Sequence, residues 1–326
     1  MKEILINSNN CNQRIDKLVR KYLNDAPLSF IYKTFRKKDI KVNGHWVDKD
    51  YILKENDIVR IYIKDETLNE FNNPKKVESI KFNDLDIIYE DKNILIVNKP
   101  KGLLVHGDSE EKRITLTNKV QSYLSSKGEF VSNGNDYVPS PVHRLDRNTS
   151  GLVVFSKNLQ ASQELLELFK TKEDIEKYYI CLVNGITQNK GEINIPLKKD
   201  SEKGIVFATS LANGGKEAKT IYTKLGNNNK YSLLLVNLIT GRTHQIRVHF
   251  KEIGHPLLGD SKYGDFKINK AFNSEFNYEN QFLHAYKIVF KDVKGTLSYL
   301  KNKTFIAPLN KKEKEILNKL NISYKL

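Results

Sequence analysis

Apolar positions near the start of the chain follow the spacing of helices and then of strands. In residues 13–23 and again in residues 29–37, apolar side chains recur every three or four positions, which predicts two amphipathic helices. Residues 40–44 have the pattern of a strand that enters an Asn-Gly turn, and residues 57–63 alternate as a closing strand. Residues 1–65 are therefore predicted to form a small domain in the order helix, helix, strands.

The pattern changes after this first domain. Residues 66–84 are polar, lack strong periodicity and contain Pro74, as is typical of a linker. From residue 85 onward, short apolar runs bounded mostly by Gly, Asn, Asp or Pro predict strands. These runs are residues 86–89, 94–97, 152–155, 180–183 and 232–236.

Helical spacing in the second part of the chain is clearest in residues 159–169 and 311–320. The regular alternation of strand and helix that marks a doubly wound fold is missing. Residues 85–310 are therefore predicted to form an α+β domain with a large sheet, and residues 311–326 a basic helical tail.

Charge adds a class of partner to this picture. The 326 residues contain 54 Lys and Arg against 39 Asp and Glu, which gives a net charge of +15 and favours a polyanionic partner. A generally Lys-rich composition is an alternative explanation, so the location of the basic residues decides between them. The polar faces of the first two helices concentrate the charge, as a phosphate-binding footprint or as a solvated basic face. The residues concerned are Arg14, Lys17, Arg20, Lys21, Lys33, Arg36, Lys37 and Lys38.

Two cysteines, Cys11 and Cys181, lie far apart and match neither a metal-ligand spacing nor a disulfide framework, which favours a reducing compartment. No apolar run approaches the ~18 residues needed to cross a bilayer. The first residues also lack the apolar core of a signal peptide. We expect a cytoplasmic location.

The densest polar cluster is His143-Arg144-Leu145-Asp146-Arg147-Asn148-Thr149-Ser150-Gly151, which precedes an apolar strand. Positive charge beside Asp146 favours the ionised carboxylate, the state that a nucleophile or base requires. A turn closed by Asp146 and salt-bridged to the arginines would explain the same residues. The local sequence by itself favours that simpler interpretation.

A second cluster, residues 240–250, contains two arginines and two histidines. An extended backbone would place alternate side chains on opposite sides, with Arg242, His244 and Ile246 on one and Thr243, Gln245 and Arg247 on the other. A zinc site built from His244, His249 and His255 is disfavoured, because no Cys pair and no HExxH sequence accompanies them.

Two further segments carry weaker signals. Residues 253–264 contain the Gly, Pro and Asp of a loop, and residues 98–102 form a basic turn after a strand. Gly214-Gly215-Lys216 hints at a phosphate loop but lacks its first glycine and its Ser or Thr. Since GxGxxG and GxSxG motifs are also missing, no ATP, dinucleotide or other cofactor is predicted.

Residues 143–151, 241–249 and 254–256 together resemble the RluA family of pseudouridine synthases in sequence, order and spacing. The resemblance extends from about residue 86 to residue 308. It implies a catalytic domain built on a large mixed, mainly antiparallel sheet. It also implies an enzyme that isomerises uridine to pseudouridine in RNA without a cofactor or metal.

The first domain resembles the small α-L RNA-binding module named after ribosomal protein S-four, which the RluC and RluD branch carries before its catalytic domain. Residues 31–37 and 41–43 are closest to the RluC branch. Lys38 departs from the pattern, which usually has glycine before the strand, and this puts the local turn in doubt.

The resemblance implies a role for several residues of the second domain. Asp146 corresponds to the catalytic aspartate, Arg247 to the basic residue paired with it, and Tyr179 to the tyrosine that stacks on the target base. Arg144 corresponds to the residue that reaches into the RNA as the target nucleotide leaves the stack. Cys181 stands where the family usually has alanine. The remaining RNA-binding candidates are Arg147, Arg242, His244, Arg14, Lys17, Lys33, Arg36 and Lys37.

These features favour 23S ribosomal RNA, or its assembly intermediates, as the partner, with no membrane and no obligate protein partner. Transfer RNA is the alternative substrate. A ribosome-assembly factor that binds RNA without catalysis is a competing hypothesis, and so is a metal-dependent nuclease.

Overall fold

The computed structural model describes residues 1–7, 10–72, 80–108, 111, 114–129, 137–200 and 202–325. The first module contains β1 (Lys2–Leu5), α1 (Ile15–Tyr22), α2 (Leu28–Arg36), β2 (Ile40–Val42), β3 (His45–Trp46), β4 (Ile58–Ile61) and α3 (Asp65–Phe71). Its described strands form an antiparallel sheet in the order β1-β4-β2-β3. Both predicted helices and both predicted strands are confirmed.

The expected order of elements missed β1, which precedes the helices and lies at the edge of the sheet. Only Ile4 of its four residues is buried, so the strand offers no alternation long enough to recognise. The Asn-Gly turn is confirmed: Asn43 and Gly44 both have positive φ, as a two-residue hairpin turn requires. Lys38 also adopts a left-handed backbone, with φ of 60°, so the turn that glycine usually makes there is retained.

The segment expected to be a linker begins with a helix. In α3, Leu68 is buried in the core of the first module, and the ring of Phe71 lies 5.0 Å from that of Phe30. Ordered structure therefore continues to the end of α3. Residues 73–79, with Pro74 among them, lie outside the described residues, so the extent of the linker stays a prediction.

The second module begins with β5 (Ile87–Glu90), β6 (Ile94–Lys99), α4 (Leu116–Ser126), β7 (Ser140–Pro141), β8 (Ser150–Ser156), α5 (Leu159–Thr171) and β9 (Ile175–Asn184). It continues with β10 (Lys190–Asn194), β11 (Leu197–Asp200), β12 (Ile205–Ala208), β13 (Lys219–Asn227) and β14 (Tyr231–Leu238). The last elements are α6 (Gln245–Glu252), α7 (Phe266–Phe276), β15 (Leu283–Phe290), β16 (Thr304–Ile306) and α8 (Lys311–Lys319).

One large sheet organises this module. Eight of its ten described strands follow the order β10-β13-β14-β9-β15-β8-β6-β5, while β16 pairs with β15 and β7 with β8. Among the described strands only β8 and β15 run parallel. The predicted α+β class and the mixed, mainly antiparallel sheet are confirmed. The five predicted strands correspond to β5, β6, β8, β9 and β14.

Strand alternation divides the core between the two faces of this sheet. Leu95 of β6 packs in the same cluster as residues of α4 and α6, whereas Ile94 and Ile96 pack with residues of α5. In β9, Tyr179 belongs to the α6 side and Ile180 to the opposite side. Tyr179 therefore faces the helix that follows β14.

The predicted helices at residues 159–169 and 311–320 are confirmed as α5 and α8. Although α8 was expected in a tail, its Ile316 and Leu317 are buried in a core cluster with β9 and α7. Glu313 of the same helix is fully buried and pairs with Lys101 at 3.0 Å. None of the described helices combines the length and the apolar character that a membrane crossing needs.

Gly151 permits the close approach of β8 to β15. Its φ is +110°, and a Cβ at this position would lie 2.6 Å from the amide nitrogen of Ala285 and closer still to its carbonyl oxygen. Because Ala285 is its partner in the parallel pair, a larger residue would have to separate the two strands.

We expect Gly151→Ala to lower the free energy of unfolding by about 3 kcal/mol, since it combines left-handed strain with overpacking. Gly128→Ala is the matched control, because Gly128 has φ of +72° and open space around its Cβ position. It should cost only about 1 kcal/mol. Urea unfolding of both variants measures the difference, and equal losses would contradict a role for the close approach of the strands.

Candidate active site

Asp146 lies in the loop between β7 and β8, and His143 fixes the start of this loop. The ring of His143 stacks on Phe169 at 4.7 Å, and its Nε2 accepts a hydrogen bond from the amide of Val154 at 3.1 Å. Burial, together with the charge of Lys177, lowers the pKa of His143 to about 3. The neutral imidazole is therefore a structural acceptor that anchors the loop to β8.

Lys99 also stabilises the loop that carries Asp146. Its side chain is fully buried, and its Nζ donates hydrogen bonds to the carbonyl oxygens of Pro100 at 2.9 Å, Leu103 at 2.8 Å and Arg147 at 2.9 Å. Burial lowers the pKa of Lys99 to about 7. The basic turn at residues 98–102, a weak signal in the sequence, therefore holds the backbone next to Asp146.

The loop opens onto a cleft of about 280 Å³. Leu145 packs into the core beneath it, and the Asp146 carboxylate at its edge is 28% exposed. The volume is at the small end of ligand pockets, which suits one nucleoside. Six predicted site residues line this cleft: Arg144, Asp146, Tyr179, Arg242, His244 and Arg247.

The other predicted residues lie elsewhere. The Arg147 side chain is exposed outside the cleft lining, and its carbonyl is the group that Lys99 holds. In the first module, Arg14 makes two hydrogen bonds of 3.0 Å with Asp16. The other four predicted residues are exposed on or just after α1 and α2: Lys17, Lys33, Arg36 and Lys37.

The extended interpretation of residues 240–250 is wrong. Strand β14 ends at Leu238, the chain turns, and α6 begins at Gln245 after His244, whose φ is 52°. All six residues from Gln245 to Phe250 are buried, polar and apolar alike. Their sequence therefore shows no contrast between a buried and an exposed face that would indicate a helix.

Two polar side chains one turn apart attach α6 to β13. Gln245 Nε2 donates to the Lys219 carbonyl and to Thr220 Oγ1, both at 3.0 Å. His249 Nδ1 lies 2.9 Å from the same Thr220 hydroxyl. Because positions 245 and 249 share one face of the helix, Arg247 lies on a different face and points to the cleft.

Arg247 lies between two carboxylates. Its Nε and Nη2 contact Asp260 at 2.7 and 2.8 Å, and its Nη1 donates to Asp146 Oδ2 at 3.0 Å. Burial disfavours the charged guanidinium, but the hydrogen bonds and charge of Asp260, with the charge of Asp146, raise the pKa of Arg247. Asp260 itself is fully buried and also accepts hydrogen bonds from the backbone amides of Lys262 and Tyr263.

Tyr263 links Arg247 to His244. The Arg247 guanidinium lies over the Tyr263 ring at 5.0 Å, and the Tyr263 hydroxyl is 2.7 Å from His244 Nδ1. This hydroxyl accepts the Val206 amide, so its own proton is free for Nδ1. His244 Nε2 then carries the proton and faces Asp146 Oδ2 at 3.8 Å. Burial lowers the pKa of His244, which favours this neutral form.

Tyr179 contributes to the apolar lining of the cleft. It lies in β9 between Ala285 and Val236 of the neighbouring strands and is 7% exposed. Burial and the charge of Asp146 raise the pKa of Tyr179, so its hydroxyl stays protonated. Cys181 follows on the same face in the core, and burial raises the pKa of its thiol.

The histidines considered for zinc are engaged separately. His249 Nε2 lies 3.0 Å from the Ile195 carbonyl oxygen, and His255 Nδ1 lies 2.8 Å from that of Asn184. Within the described part of the chain, no three His, Cys, Asp or Glu residues are placed to hold a metal ion.

Asp260 is the main site residue that the sequence did not identify, because its segment predicts only a loop. The available sign was a single carboxylate directly after Leu257, Leu258 and Gly259, since an acid adjoining buried apolar residues needs a partner.

Comparison with known proteins agrees with this geometry. The family described as RNA pseudouridylate synthase matches residues 93–252. A Mycoplasma capricolum protein named "Uncharacterized RNA pseudouridine synthase" is 39% identical over 94% of this chain and 97% of its own length. "Ribosomal large subunit pseudouridine synthase C" of Vibrio vulnificus is 35% identical over 87% of each chain.

The solved structure of human RNA pseudouridylate synthase domain containing 4 shares the fold. It has a TM-score of 0.58 and 22% identity, over 73% of this chain and 94% of that chain. The sequence identities extend across nearly the whole chain, and the matched family segment includes Asp146, Tyr179 and Arg247. The chain therefore belongs to the RluA family of RNA pseudouridine synthases.

Proposed function

We propose that this enzyme isomerises specific uridines of 23S ribosomal RNA and that Asp146 is its catalytic carboxylate. The observation that carries the proposal is the arrangement at one end of the cleft. The Asp146 carboxylate is held through Oδ2 by Arg247, and Tyr179 lines the same cleft. A carboxylate, a fixed cation and an aromatic surface are what this reaction needs.

The isomerisation breaks the bond between uracil N1 and the sugar C1′ and joins C1′ to C5 of the rotated base. A proton leaves C5 and N1 gains one, so no redox partner or group donor takes part. A carboxylate can start this sequence by attacking either the uracil ring or the sugar carbon. Both routes use the same oxygen atom of Asp146.

That atom is Oδ1. Arg247 and His244 both approach Oδ2, while no residue in the described ranges donates a hydrogen bond to Oδ1. An ion pair through one oxygen orients the carboxylate and leaves the other available. Because the Arg247 side chain is only 9% exposed, its ion pair with Asp146 has more effect than it would in solution.

Reaching the cleft requires the target uridine to leave the RNA stack, at a cost of a few kcal/mol. Stacking of the flipped base on Tyr179 would recover about 1–3 kcal/mol of this. Arg144 is exposed at the edge of the cleft, where it can occupy the place that the base leaves. We assign these two roles to Tyr179 and Arg144.

The first module supplies affinity for the RNA backbone. We infer that residues 1–65 form an S-four-like RNA-binding domain ahead of a catalytic domain at 85–310. Exposed cations on two adjacent helices support this, and so does the similarity to large-subunit enzymes such as the one from Vibrio vulnificus. Phosphate contacts of this kind position a protein on RNA without reading its sequence.

Substrate and catalytic residue can be tested in one assay. Unmodified 23S and transfer RNA transcripts are incubated with the enzyme and with Asp146→Asn, and pseudouridine positions are then mapped. We expect discrete modified positions in 23S RNA from the wild type only. The variant should bind the transcript with unchanged affinity, because the amide keeps the shape of the side chain.

Modification of transfer RNA alone would reject the proposed substrate but keep the reaction. Pseudouridine formed by Asp146→Asn would reject the catalytic role of the carboxylate.

Asp260 is proposed as the positioning residue for Arg247. We expect Asp260→Asn to lower kcat about 100-fold while RNA affinity changes less than about twofold, since a misplaced guanidinium no longer orients Asp146. Arg247→Ala should lose most activity as well. The double variant should be no worse than the worse single variant, because the residues act as one unit.

Asp292→Asn provides the control, because Asp292 pairs with Lys301 at the surface and both are more than half exposed. Single-turnover rates and RNA titration measure the effects, with circular dichroism to verify folding. A kcat of Asp260→Asn equal to that of the control would remove the positioning role.

The basic helices give a separate prediction. Replacing Lys17, Lys33, Arg36 and Lys37 with Gln should weaken binding to 23S RNA and flatten its salt dependence. The magnitude of the negative slope of log K against log salt should fall by about 0.9 for each phosphate that the protein no longer neutralises. A matched control replaces Lys311, Lys312, Lys314 and Lys319, which are exposed on α8. If both variants bind RNA with the same reduced affinity, net charge and not this surface attracts the RNA.

A further inference from the structure

Three cations gather at one side of the cleft. Lys172 follows α5, Lys177 lies on β9 two residues before Tyr179, and Arg242 lies in the turn before α6. A Cβ on Gly241 would be 3.8 Å from the Nζ of Lys177 and 3.9 Å from the Nζ of Lys172. Both ammonium groups therefore approach the same short turn.

These charges have no counter-charge in the described part of the chain. Lys177 is 8% exposed, and its ammonium group faces the Phe169 ring at 5.6 Å without an acidic partner. No hydrogen bond or ion pair connects the Lys172 ammonium to another described residue. Arg242 uses one nitrogen, Nε, to bond the carbonyl oxygen of Glu217 at 2.9 Å.

Other buried lysines of this module are satisfied, which makes the contrast informative. Lys157 pairs with Glu90 at 2.9 Å, Lys101 pairs with Glu313 at 3.0 Å, and Lys99 donates to three carbonyls. Burying a charge without a partner is costly, and proteins rarely keep one without a reason. Lys177 is therefore placed to bind an anion from outside the chain.

The pKa values agree with this geometry. Burial and the neighbouring charge of Lys172 lower the pKa of Lys177 to about 8. Burial and the charge of Arg242 lower the pKa of Lys172. An anion placed among the three groups would relieve the repulsion between them.

We infer that Lys172, Lys177 and Arg242 form a binding site for one phosphodiester group of the RNA, next to the nucleotide whose base enters the cleft. Lys177 and Tyr179 are two residues apart on one strand, about 7 Å, and point to the same face. A base on Tyr179 and a phosphate at Lys177 thus belong to the same or adjoining nucleotides. The identification of the anion as an RNA phosphate rests on the proposed function, in which Asp146 acts on a uridine in the same cleft.

The first test uses a fluorescent single-stranded oligouridylate of about 12 nucleotides, titrated at several KCl concentrations. We expect Lys177→Gln and Lys172→Gln each to weaken binding about tenfold. The triple variant with Arg242→Gln should reduce the magnitude of the negative slope of log K against log salt by about 0.7, the value for one phosphate on a single strand. Lys177→Arg should restore affinity.

Lys170→Gln is the matched control, because Lys170 is exposed two residues before Lys172 and pairs with Glu167 at 3.2 Å. A slope unchanged in the triple variant would overturn the site. A fall of about 2 would also overturn it, since it would mean three separate phosphates. If Lys177→Gln unfolds, the half-buried Lys172 gives the same test.

The second test locates the phosphate. A short RNA containing the mapped target uridine is made with one neutral methylphosphonate linkage, on the 5′ or the 3′ side of that uridine. On one side, the neutral linkage should weaken wild-type binding about tenfold and have no further effect on Lys177→Gln. Equal weakening of both proteins, or none on either side, would reject the assignment.

Failure of this site and failure of the proposed function can be distinguished. An enzyme that forms no pseudouridine in any RNA would refute the function, while the oligouridylate titration would still decide whether the anion site exists.

Discussion

The guanidinium of Arg247 is the group on which the rest of the site depends. Asp260 holds two of its nitrogens from within the core, and the third meets Asp146 at the cleft. Asp260 is completely buried, and two backbone amides bond its Oδ1 in addition to Arg247. With all these hydrogen bonds the Asp260 carboxylate does not rotate. It therefore fixes the orientation of Arg247, and Arg247 in turn orients Asp146.

The loop that carries Asp146 is held through its backbone. The loop of Asp146 is anchored by His143 at one end and by Lys99 near the other, and neither side chain contacts Asp146 through a hydrogen bond. Both side chains therefore hold the backbone of the loop without competing for the Asp146 carboxylate. Lys177 and Lys172, which line the same cleft, have no acidic partner among the described residues.

Much of this architecture could be predicted from the sequence. Strands such as β6 and β14 have continuous apolar runs, and β2 ends in an Asn-Gly turn, so local patterns were sufficient there. The helix α6 could not be recognised, because burial on all sides removes the contrast between its faces. Asp260 and Lys99 were missed for a related reason: their partners are distant in sequence, and a single residue type does not reveal burial.

The parallel pair of β8 and β15 has a consequence for folding. Ser150 and His284 are hydrogen bonded across it, although 134 positions separate them in the chain. Closing so long a loop costs entropy before any contact compensates for it, so pairing of this kind is slow. Two antiparallel half-sheets can form earlier from neighbouring strands, and the cleft exists only once they join. Until then the unpaired edges of β8 and β15 are open to other chains, and the cleft depends on this long-range pairing.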